Sequence, residues 1–267
     1  MKIALSQMDI VWEDRQANYE KAALFAQKAF TAGANLLLFP EMSFTGFSMH
    51  TEKTAETCPY ESTEKMKALS RRYPGMAIGF GFAARREDSP KALNCLEVVQ
   101  DGEVLMHYEK LHPFTFGEEG RYFQAGSKLA ACEICGVATG AFICYDLRFP
   151  EIFQISSRSN ALIFVLANWP AERAAHWKLL LQARAVENQC YIAGVNRIGE
   201  GGGLHYEPGS LVFDPLGNPV ETTTYSVGEQ GESLLLAQIE PQEVRRVRSA
   251  FPLKADRREA LYREWYV

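Results

Sequence analysis

The chain has 267 residues, of which 47% are hydrophobic and 23% are charged, and its formal net charge is −5. This balance excludes a disordered chain and provides no basic field for a nucleic-acid backbone. The apolar runs, of which 161–167 is among the longest, are too short to span a membrane.

Polar residues interrupt the N-terminal segment too early for a signal peptide, and six cysteines in a chain of this length do not resemble a disulfide framework. We therefore expect a reduced, cytoplasmic protein that binds neither nucleic acid nor a membrane.

Strand-like and helix-like segments alternate along the chain. Apolar residues at helical spacing predict helices at 18–32, 62–72 and 174–188. Apolar or alternating runs predict strands at 2–8, 36–39, 76–83, 93–100, 103–109, 129–135, 137–143, 162–166, 191–195, 209–213 and 233–239. Asp101 and Gly102 separate two of these strands and are typical of a two-residue hairpin.

Continuous apolar strands favour sheets that are covered on both faces, whereas hairpins favour an antiparallel component. The pattern therefore predicts a layered α/β sandwich with mixed sheets. We expect one domain over 1–267, with a C-terminal extension around 241–267.

Three short segments allow other interpretations. The glycine cluster at 199–203 lacks the Lys-Ser/Thr ending of a phosphate loop, so we expect a flexible loop there. Cys132 and Cys135 have the spacing of a redox pair, but on a strand residues three apart face opposite sides. The basic stretch at 245–248 is short, and we expect it to be a solvated face.

Cys144 ends the predicted strand at 137–143 and precedes residues that can begin a tight turn and then a helix. The ends of strands in an α/β fold expose reactive side chains to a crevice. Most buried cysteines only fill space. Cys144 is a candidate nucleophile if a base and an oxyanion-binding group reach it from elsewhere in the chain.

Glu41 and Lys110 are candidate partners for this thiol because each lies at the end of a predicted strand. A partly desolvated carboxylate at position 41 can accept the thiol proton, although a surface turn is an equally ordinary place for it. Strand alternation places Lys110 on the more apolar face, where an ammonium must be paired unless its long side chain reaches solvent. A base, a cation and a thiol satisfy the needs of acyl transfer through a thioester.

Three segments together resemble the signatures of the nitrilase-like carbon–nitrogen hydrolase superfamily, in the order and at separations typical of that family. They are Leu38-Phe39-Pro40-Glu41, Tyr108-Glu109-Lys110-Leu111-His112 and Cys144-Tyr145-Asp146-Leu147-Arg148-Phe149-Pro150-Glu151. The resemblance implies a four-layer αββα sandwich with two mixed β-sheets. It also implies a catalytic triad of Glu41, Lys110 and Cys144.

The same resemblance implies a second glutamate before an aromatic-x-x-Gly element, which here begins at Phe123. Spacing selects Glu119, but Glu118 is adjacent and remains an alternative. Such a carboxylate would hold Lys110 charged and orient the substrate or the attacking water. The implied chemistry requires no metal or organic cofactor, and no His, Cys and Asp residues have the spacing of metal ligands.

Within the superfamily, the segment Ala167-Asn168-Trp169-Pro170 resembles the omega-amidase branch. That branch implies ω-amides of small α-keto dicarboxylic acids, such as 2-oxoglutaramate and 2-oxosuccinamate. The substrate carboxylate then needs a cation, for which Arg148 and Arg173 are candidates.

Three further residues are predicted around the substrate. The backbone N–H of Tyr145 would bind the oxyanion. Asn168 and Trp169 follow a predicted strand and would line the same crevice, although Trp169 alone is equally typical of packing over the helix at 174–188. Arg184 and Glu187 lie three apart on that helix and predict a structural ion pair.

Other enzymes of the superfamily and one different class of protein stay open. A sister amidase that acts on deaminated glutathione, or another small aliphatic amidase, would share most of these motifs. A true nitrilase, which would consume nitriles, is disfavoured by the small-amidase signatures. A catalytically inactive binding or scaffold protein is disfavoured because all three triad positions are intact. The family also implies a homodimer, and apolar and aromatic residues near the C-terminus could dock on a partner subunit or on their own: Phe251, Leu261, Tyr262, Trp265 and Tyr266.

Overall fold

A computed structural model describes residues 1–228 and 231–265. Within these ranges the strands are β1 (Lys2–Gln7), β2 (Leu36–Leu38), β3 (Ala55–Glu56), β4 (Ala77–Ala84), β5 (Ala92–Gln100), β6 (Glu103–Glu109), β7 (Phe123–Gln124), β8 (Ala131–Ile134), β9 (Val137–Ile143), β10 (Leu162–Ala167), β11 (Tyr191–Asn196), β12 (Gly199–Gly201), β13 (Leu204–Tyr206), β14 (Leu211–Phe213), β15 (Thr222–Ser226) and β16 (Ser233–Gln238).

The helices are α1 (Arg15–Thr31), α2 (Thr51–Thr54), α3 (Glu61–Arg71), α4 (Glu119–Tyr122), α5 (Pro150–Ser156), α6 (Ala174–Asn188), α7 (Pro241–Ala250) and α8 (Glu259–Trp265). Short 3₁₀ helices occur at Thr115–Gly117, Cys144–Arg148, Ala171–Arg173 and Leu253–Asp256. None of the described helices combines the length and apolar character needed to cross a membrane.

The first sheet has the strand order β15-β16-β1-β2-β4-β5-β6, with β3 on β4 and β7 on β5. Strands β1, β2 and β4 run parallel, with Leu38 opposite Gly79, and both flanks of this group are antiparallel. The second sheet has the order β14-β11-β10-β9-β8, in which β9, β10 and β11 are parallel and the two outer strands are antiparallel. Both sheets are therefore mixed, as predicted.

The two sheets pack face to face and helices cover their outer faces. On the first sheet, Phe25 of α1 and Met66 of α3 join the same buried cluster as Leu37 and Ile78. On the second sheet, the ring of Phe153 on α5 lies 4.5 Å from that of Phe142 on β9. Trp177 and Leu181 of α6 pack against β11. This αββα layering buries the central parallel strands on both faces, which explains why they are continuously apolar.

The predicted hairpin is confirmed between β5 and β6, where Asp101 and Gly102 have φ values of 52° and 88°. Both residues occupy the left-handed region that a two-residue turn of this type requires. The helix predicted at 18–32 begins earlier, at Arg15, because the Asp14 carboxylate accepts a hydrogen bond from the Ala17 N–H at 3.0 Å.

The prediction of a flexible loop at 199–203 is wrong. Strands β12 and β13 form a hairpin there, since Gly202 and Gly203 both adopt positive φ in the turn. We call Gly199–Tyr206 the glycine hairpin. Two consecutive glycines are typical of a two-residue hairpin turn, so their role here is to form that turn.

The prediction of a solvated face at 245–248 is wrong for Arg248. Its guanidinium is half-buried and donates to the backbone carbonyls of Ser157, Asn160 and Gln189 at 2.9, 3.1 and 3.0 Å. Helices α5 and α6 end at these positions, and a cation satisfies the free carbonyls of a helix C-terminus.

Of the apolar C-terminal residues, Phe251 and Trp265 are exposed by 61% and 70%, while Leu261 and Tyr262 are half-buried. Tyr266 lies outside the described residues.

Candidate active site

Strand ends from both sheets bring the three candidate catalytic side chains together. Glu41 lies just beyond β2, Lys110 follows β6, and Cys144 follows β9. The backbone of β4 packs closely against the turn that carries Glu41. A side chain at Gly81 would place its Cβ 2.6 Å from the backbone nitrogen of Met42, so only glycine lets β4 approach the Glu41 turn this closely.

The Lys110 ammonium is buried between two carboxylates. Its Nζ lies 2.9 Å from Oε1 of Glu41 and 2.8 Å from Oε2 of Glu119, and all three side chains are at most 1% exposed. Burial alone would lower the pKa of Lys110, but the carboxylates of Glu119 and Glu41 outweigh that effect and raise it. The lysine is therefore a fixed positive charge in a dry environment.

Glu119, and not Glu118, is the glutamate that reaches this lysine. Glu119 begins α4, is fully buried, and also accepts a hydrogen bond from the Phe114 N–H at 2.5 Å. Glu118 adopts a left-handed φ of 63° and directs its carboxylate to Arg121 at the surface. The structure thus separates two neighbours that spacing alone left open.

The carboxylate of Glu41 is held at both oxygens. Oε1 accepts hydrogen bonds from Lys110 and from Nδ2 of Asn94, the latter at 2.7 Å, and Oε2 accepts the backbone N–H of Asn168 at 3.0 Å. Asn94 also donates to Glu119 at 2.9 Å, so it bridges the two acids. We call Glu41, Lys110 and Glu119 the carboxylate–lysine cluster.

Cys144 occupies a strained turn at the end of β9. Its φ of 43° lies in the left-handed region, which costs a residue with a Cβ about 1–2 kcal/mol. Burial raises the pKa of the Cys144 thiol well above its usual value, and Glu41 raises it further while Lys110 opposes the shift. The thiol is therefore protonated near neutral pH and needs a base to become a nucleophile.

Asp146 holds this turn in place. Its Oδ2 accepts hydrogen bonds from the Ile143 N–H at 3.1 Å and the Tyr108 hydroxyl at 2.7 Å. Its Oδ1 accepts the backbone N–H of His112 at 3.0 Å and faces Nδ1 of the same histidine at 2.7 Å. One buried carboxylate thus links β9 to the segment that follows β6, which offsets the strain at Cys144.

A cleft opens over Cys144 and Lys110. All five predicted substrate-binding residues line it, together with residues that the sequence did not indicate. The lining residues are Phe47, Lys110, Phe114, Cys144, Tyr145, Arg148, Asn168, Trp169, Pro170, Arg173, Leu204 and Tyr206.

The two arginines of the cleft face aromatic rings. The guanidinium of Arg148 lies 4.9 Å from the Trp169 ring centroid, and that of Arg173 lies 5.8 Å from the Phe114 ring centroid. Among residues 1–228 and 231–265, neither guanidinium has a carboxylate or hydrogen-bond partner. Aromatic faces attract these cations while leaving their N–H groups available to a bound anion.

Trp169 lines the cleft and also packs in the core. Its indole N–H donates to the Arg173 carbonyl at 2.8 Å, and its ring lies 5.2 Å from that of Trp177 on α6. Asn168 lines the cleft and also stabilises the turn that carries Glu41, because its Nδ2 donates to the Glu41 carbonyl at 2.5 Å. The predicted pair of Arg184 and Glu187 is present at 3.0 Å, and Arg184 also donates to the Leu147 carbonyl.

Several residues of this site were missed in the sequence. Asn94 had one usable signal, a polar side chain in the largely apolar strand β5, although Glu97 of the same strand gives the same signal. Tyr206 and Leu204 had none, because they follow the glycine cluster at 199–203, which was predicted to be a loop, and no strand was predicted at 204–206. In the part of the chain that the structure describes, no group of three or more His, Cys, Asp or Glu side chains could hold a metal ion.

Comparisons with known proteins agree with this geometry. The family model described as carbon-nitrogen hydrolase matches residues 2–249. A 2-oxoglutaramate amidase of Bacillus subtilis (strain 168) is 32% identical over 97% of this chain and 98% of that protein.

Two solved structures share the fold. A CN-hydrolase superfamily protein from Xanthomonas campestris, with an arsenic adduct in its active site, has a TM-score of 0.86 at 30% identity and covers 96% of this chain and 97% of its own. An amidase from Nesterenkonia sp. AN1 has a TM-score of 0.83 at 26% identity, with 99% and 96% covered. This structure is of a glutamate-to-glutamine mutant of that amidase and shows the acetamide moiety of fluoroacetamide added covalently at the active-site cysteine.

Proposed function

Because this chain belongs to the carbon–nitrogen hydrolase family and is an amidase of that family, we propose that Glu41, Lys110 and Cys144 hydrolyse its substrate amide through a thioester on Cys144. The observation that carries this proposal is the buried ammonium of Lys110, held between two carboxylates beside a thiol. A fixed cation next to a protonated nucleophile and a carboxylate base is the set that acyl transfer requires.

In the acylation step, Glu41 takes the proton of the Cys144 thiol and the thiolate sulfur attacks the amide carbonyl. The oxyanion is bound by the Lys110 ammonium and by the backbone N–H of Tyr145, each of which contributes about 3 kcal/mol when preorganised. The C–N bond then breaks, and ammonia leaves with the proton that Glu41 returns. Glu119 does not touch the substrate in this scheme; it keeps Lys110 charged and in place.

In the deacylation step, Glu41 takes a proton from water, and the resulting hydroxide attacks the thioester carbonyl. The same two donors bind the second oxyanion. The C–S bond breaks, the Cys144 sulfur regains its proton from Glu41, and the carboxylic acid leaves. The cycle consumes water and releases ammonia and an acid, without change of oxidation state.

For the substrate we propose an ω-amide of a small α-keto dicarboxylic acid, such as 2-oxoglutaramate or 2-oxosuccinamate. The Bacillus subtilis relative is a 2-oxoglutaramate amidase. In this chain, the free guanidinium groups of Arg148 and Arg173 support a substrate that carries a carboxylate distal to the scissile amide. A short cleft that contains two cations suits a small anion better than a neutral aliphatic amide.

The test is ammonia release from a panel of small ω-amides, with deaminated glutathione and simple aliphatic amides included. We expect the keto-acid amides to have the highest kcat/KM and Cys144→Ala to abolish the activity. Full activity in Cys144→Ala would rule out the mechanism. A preference for deaminated glutathione would keep the mechanism and replace the substrate.

We also propose the homodimer that the family resemblance implies and the cytoplasmic location that the sequence predicts. The exposed side chains of Phe251 and Trp265 support a contact surface near the C-terminus. Sedimentation of the purified chain and of Trp265→Ser tests the dimer, since a dimer through this surface should dissociate in the variant.

A further inference from the structure

Tyr206 is the last residue of β13, and its side chain lines the cleft that holds Cys144. Only 2% of its surface is exposed to solvent. It comes from the glycine hairpin, which is separate from all the segments that carry the family resemblance. Its position in the cleft is therefore independent of the catalytic motifs.

The ring of Tyr206 is fixed from behind by Arg197. The guanidinium of Arg197 lies 4.7 Å from the ring centroid and is fully buried. It donates to the carbonyls of Ile10 at 3.0 Å and Glu200 at 2.7 Å, so it ties the hairpin to the N-terminal segment. A Cβ at Gly201 would lie 2.4 Å from Nη1 of this arginine, which explains the glycine. Tyr206 is thus preorganised before any ligand binds.

The Tyr206 hydroxyl forms no hydrogen bond within the described residues, and its oxygen is not fully enclosed by protein, so it opens into the cleft while the residue as a whole is buried. A hydroxyl in this position can donate to a bound ligand in place of water. Burial raises the pKa of Tyr206 to about 12, so the hydroxyl stays protonated and can donate. Its free direction is the cleft itself.

Within the described residues, most other side-chain donors of the cleft are already hydrogen-bonded or charged. Lys110 faces its carboxylates, Asn168 donates to the Glu41 carbonyl, and Arg148 and Arg173 suit an anion. Tyr145 also carries a neutral hydroxyl, but its side chain is only half-buried. Of these two tyrosines, Tyr206 is the more deeply buried donor and therefore the better match for a neutral oxygen of the acyl chain.

We propose that the Tyr206 hydroxyl donates a hydrogen bond to the oxo oxygen of the substrate acyl chain and so selects oxo-acid amides over their unsubstituted analogues. The assignment rests on the proposed function, because it takes its ligand from the proposed substrate class. A site built to hydrogen-bond a substrate group discriminates strongly against an analogue that lacks that group.

Tyr206→Phe tests this with a matched substrate pair, 2-oxosuccinamate and succinamate, which differ only in the oxo group. The variant keeps the ring against Arg197 and removes only the hydroxyl. We expect kcat/KM for 2-oxosuccinamate to fall by about tenfold to a hundredfold, with succinamate changed by less than about twofold. Equal losses on both substrates, or no loss on either, would overturn the assignment.

Tyr19→Phe is the control, because Tyr19 is a buried tyrosine whose hydroxyl pairs with Ser62 at 3.0 Å outside the cleft. It should leave the preference between the two substrates unchanged. A shift of that preference in Tyr19→Phe as large as in Tyr206→Phe would mean that loss of any buried hydroxyl is enough, and would overturn the assignment.

Inhibition by 2-oxoglutarate and by glutarate, with a simple aliphatic amide as the substrate, separates this proposal from the proposed function. If the wild-type chain hydrolyses no keto-acid amide, the proposed substrate class fails. The Tyr206 assignment still holds if 2-oxoglutarate inhibits more strongly than glutarate and Tyr206→Phe abolishes that difference. A difference that is equal in both proteins, or absent from the wild-type chain, overturns it.

Discussion

Two regions of the cleft satisfy their polar groups in opposite ways. In the carboxylate–lysine cluster, each charged group is hydrogen-bonded by protein and is at most 1% exposed. Across the cleft lie Arg148, Arg173 and Tyr206, which we call the acyl-binding wall. Their side chains have no such partners within the described residues. The first region is complete without a ligand, whereas the second is completed by one.

This difference separates the expected effects of mutation. A cluster that is complete in the free protein contributes to stability and to the chemical step together. The acyl-binding wall lacks such partners until a ligand binds, so it contributes to substrate affinity and specificity. Truncation of its side chains should reduce the stability of the free protein only slightly. Each variant below therefore tests whether kcat and stability change together, or KM alone.

The largest effect is expected for Lys110→Met. Loss of the cation removes an oxyanion donor and leaves two buried carboxylates unpaired. We expect kcat to fall by about a thousandfold or more and the free energy of unfolding to fall by about 3–5 kcal/mol. Ammonia release and urea unfolding measure the two quantities. Lys178→Met, at an exposed position on α6, is the control and should change neither. A stable but inactive Lys110→Met would contradict the coupling of the two effects.

Asp146→Asn should have the next largest effect, because it weakens the support of the turn at Cys144. The amide keeps one acceptor but cannot receive all the donors that converge on the carboxylate. We expect kcat to fall by about tenfold to a hundredfold with KM little changed, and stability to fall by about 1–3 kcal/mol. A rise in KM with kcat unchanged would place Asp146 with the acyl-binding wall.

Arg148→Ala and Arg173→Ala should change substrate affinity. For the arginine that binds the substrate carboxylate, we expect KM for 2-oxosuccinamate to rise by about tenfold or more, with kcat nearly retained. The melting temperature should not fall, because neither guanidinium pairs with a carboxylate within the described chain. Propionamide, which has no carboxylate, is the control substrate. If neither variant changes KM, the wall does not bind a carboxylate.

The smallest effect is expected on the pKa of the Cys144 thiol in Glu41→Gln. The negative charge of Glu41 raises this pKa, so its removal should lower the pKa and enlarge the thiolate fraction at a given pH. Amidase activity should nevertheless fall, because the base is gone; the small effect ranked here is the pKa shift alone. The far-ultraviolet absorbance of the thiolate, recorded over a pH titration with Glu41→Gln/Cys144→Ala as the blank, measures the shift. A raised pKa would contradict the electrostatic description of the cluster.

The sequence predicted the first region far better than the second. Glu41, Lys110 and Cys144 each follow a strand with a clear apolar pattern, so their convergence could be inferred from local signals. The choice between Glu118 and Glu119 could not, because it depends on a left-handed turn that places one carboxylate inside and the other at the surface.

The acyl-binding wall was predicted only in part. Arg148 lies within a motif segment and Arg173 follows one, but Tyr206 comes from short strands with glycines at their turn, and such segments have too little periodicity to predict. Arg248 shows the same limit, since its basic neighbours suggested solvent while its actual partners are carbonyls distant in sequence. Long apolar strands are local signals, whereas partners supplied by packing are not.

Mass spectrometry of the wild-type chain, quenched during turnover of 2-oxosuccinamate, tests the thioester on Cys144 directly. We expect a transient mass increase equal to the oxo-acyl group on the peptide that contains Cys144, with ammonia released at least as fast as the adduct forms. Hydroxylamine should remove the adduct, and Cys144→Ala should never acquire it. Turnover with no acyl adduct at Cys144, together with activity retained in Cys144→Ala, would contradict the thioester mechanism.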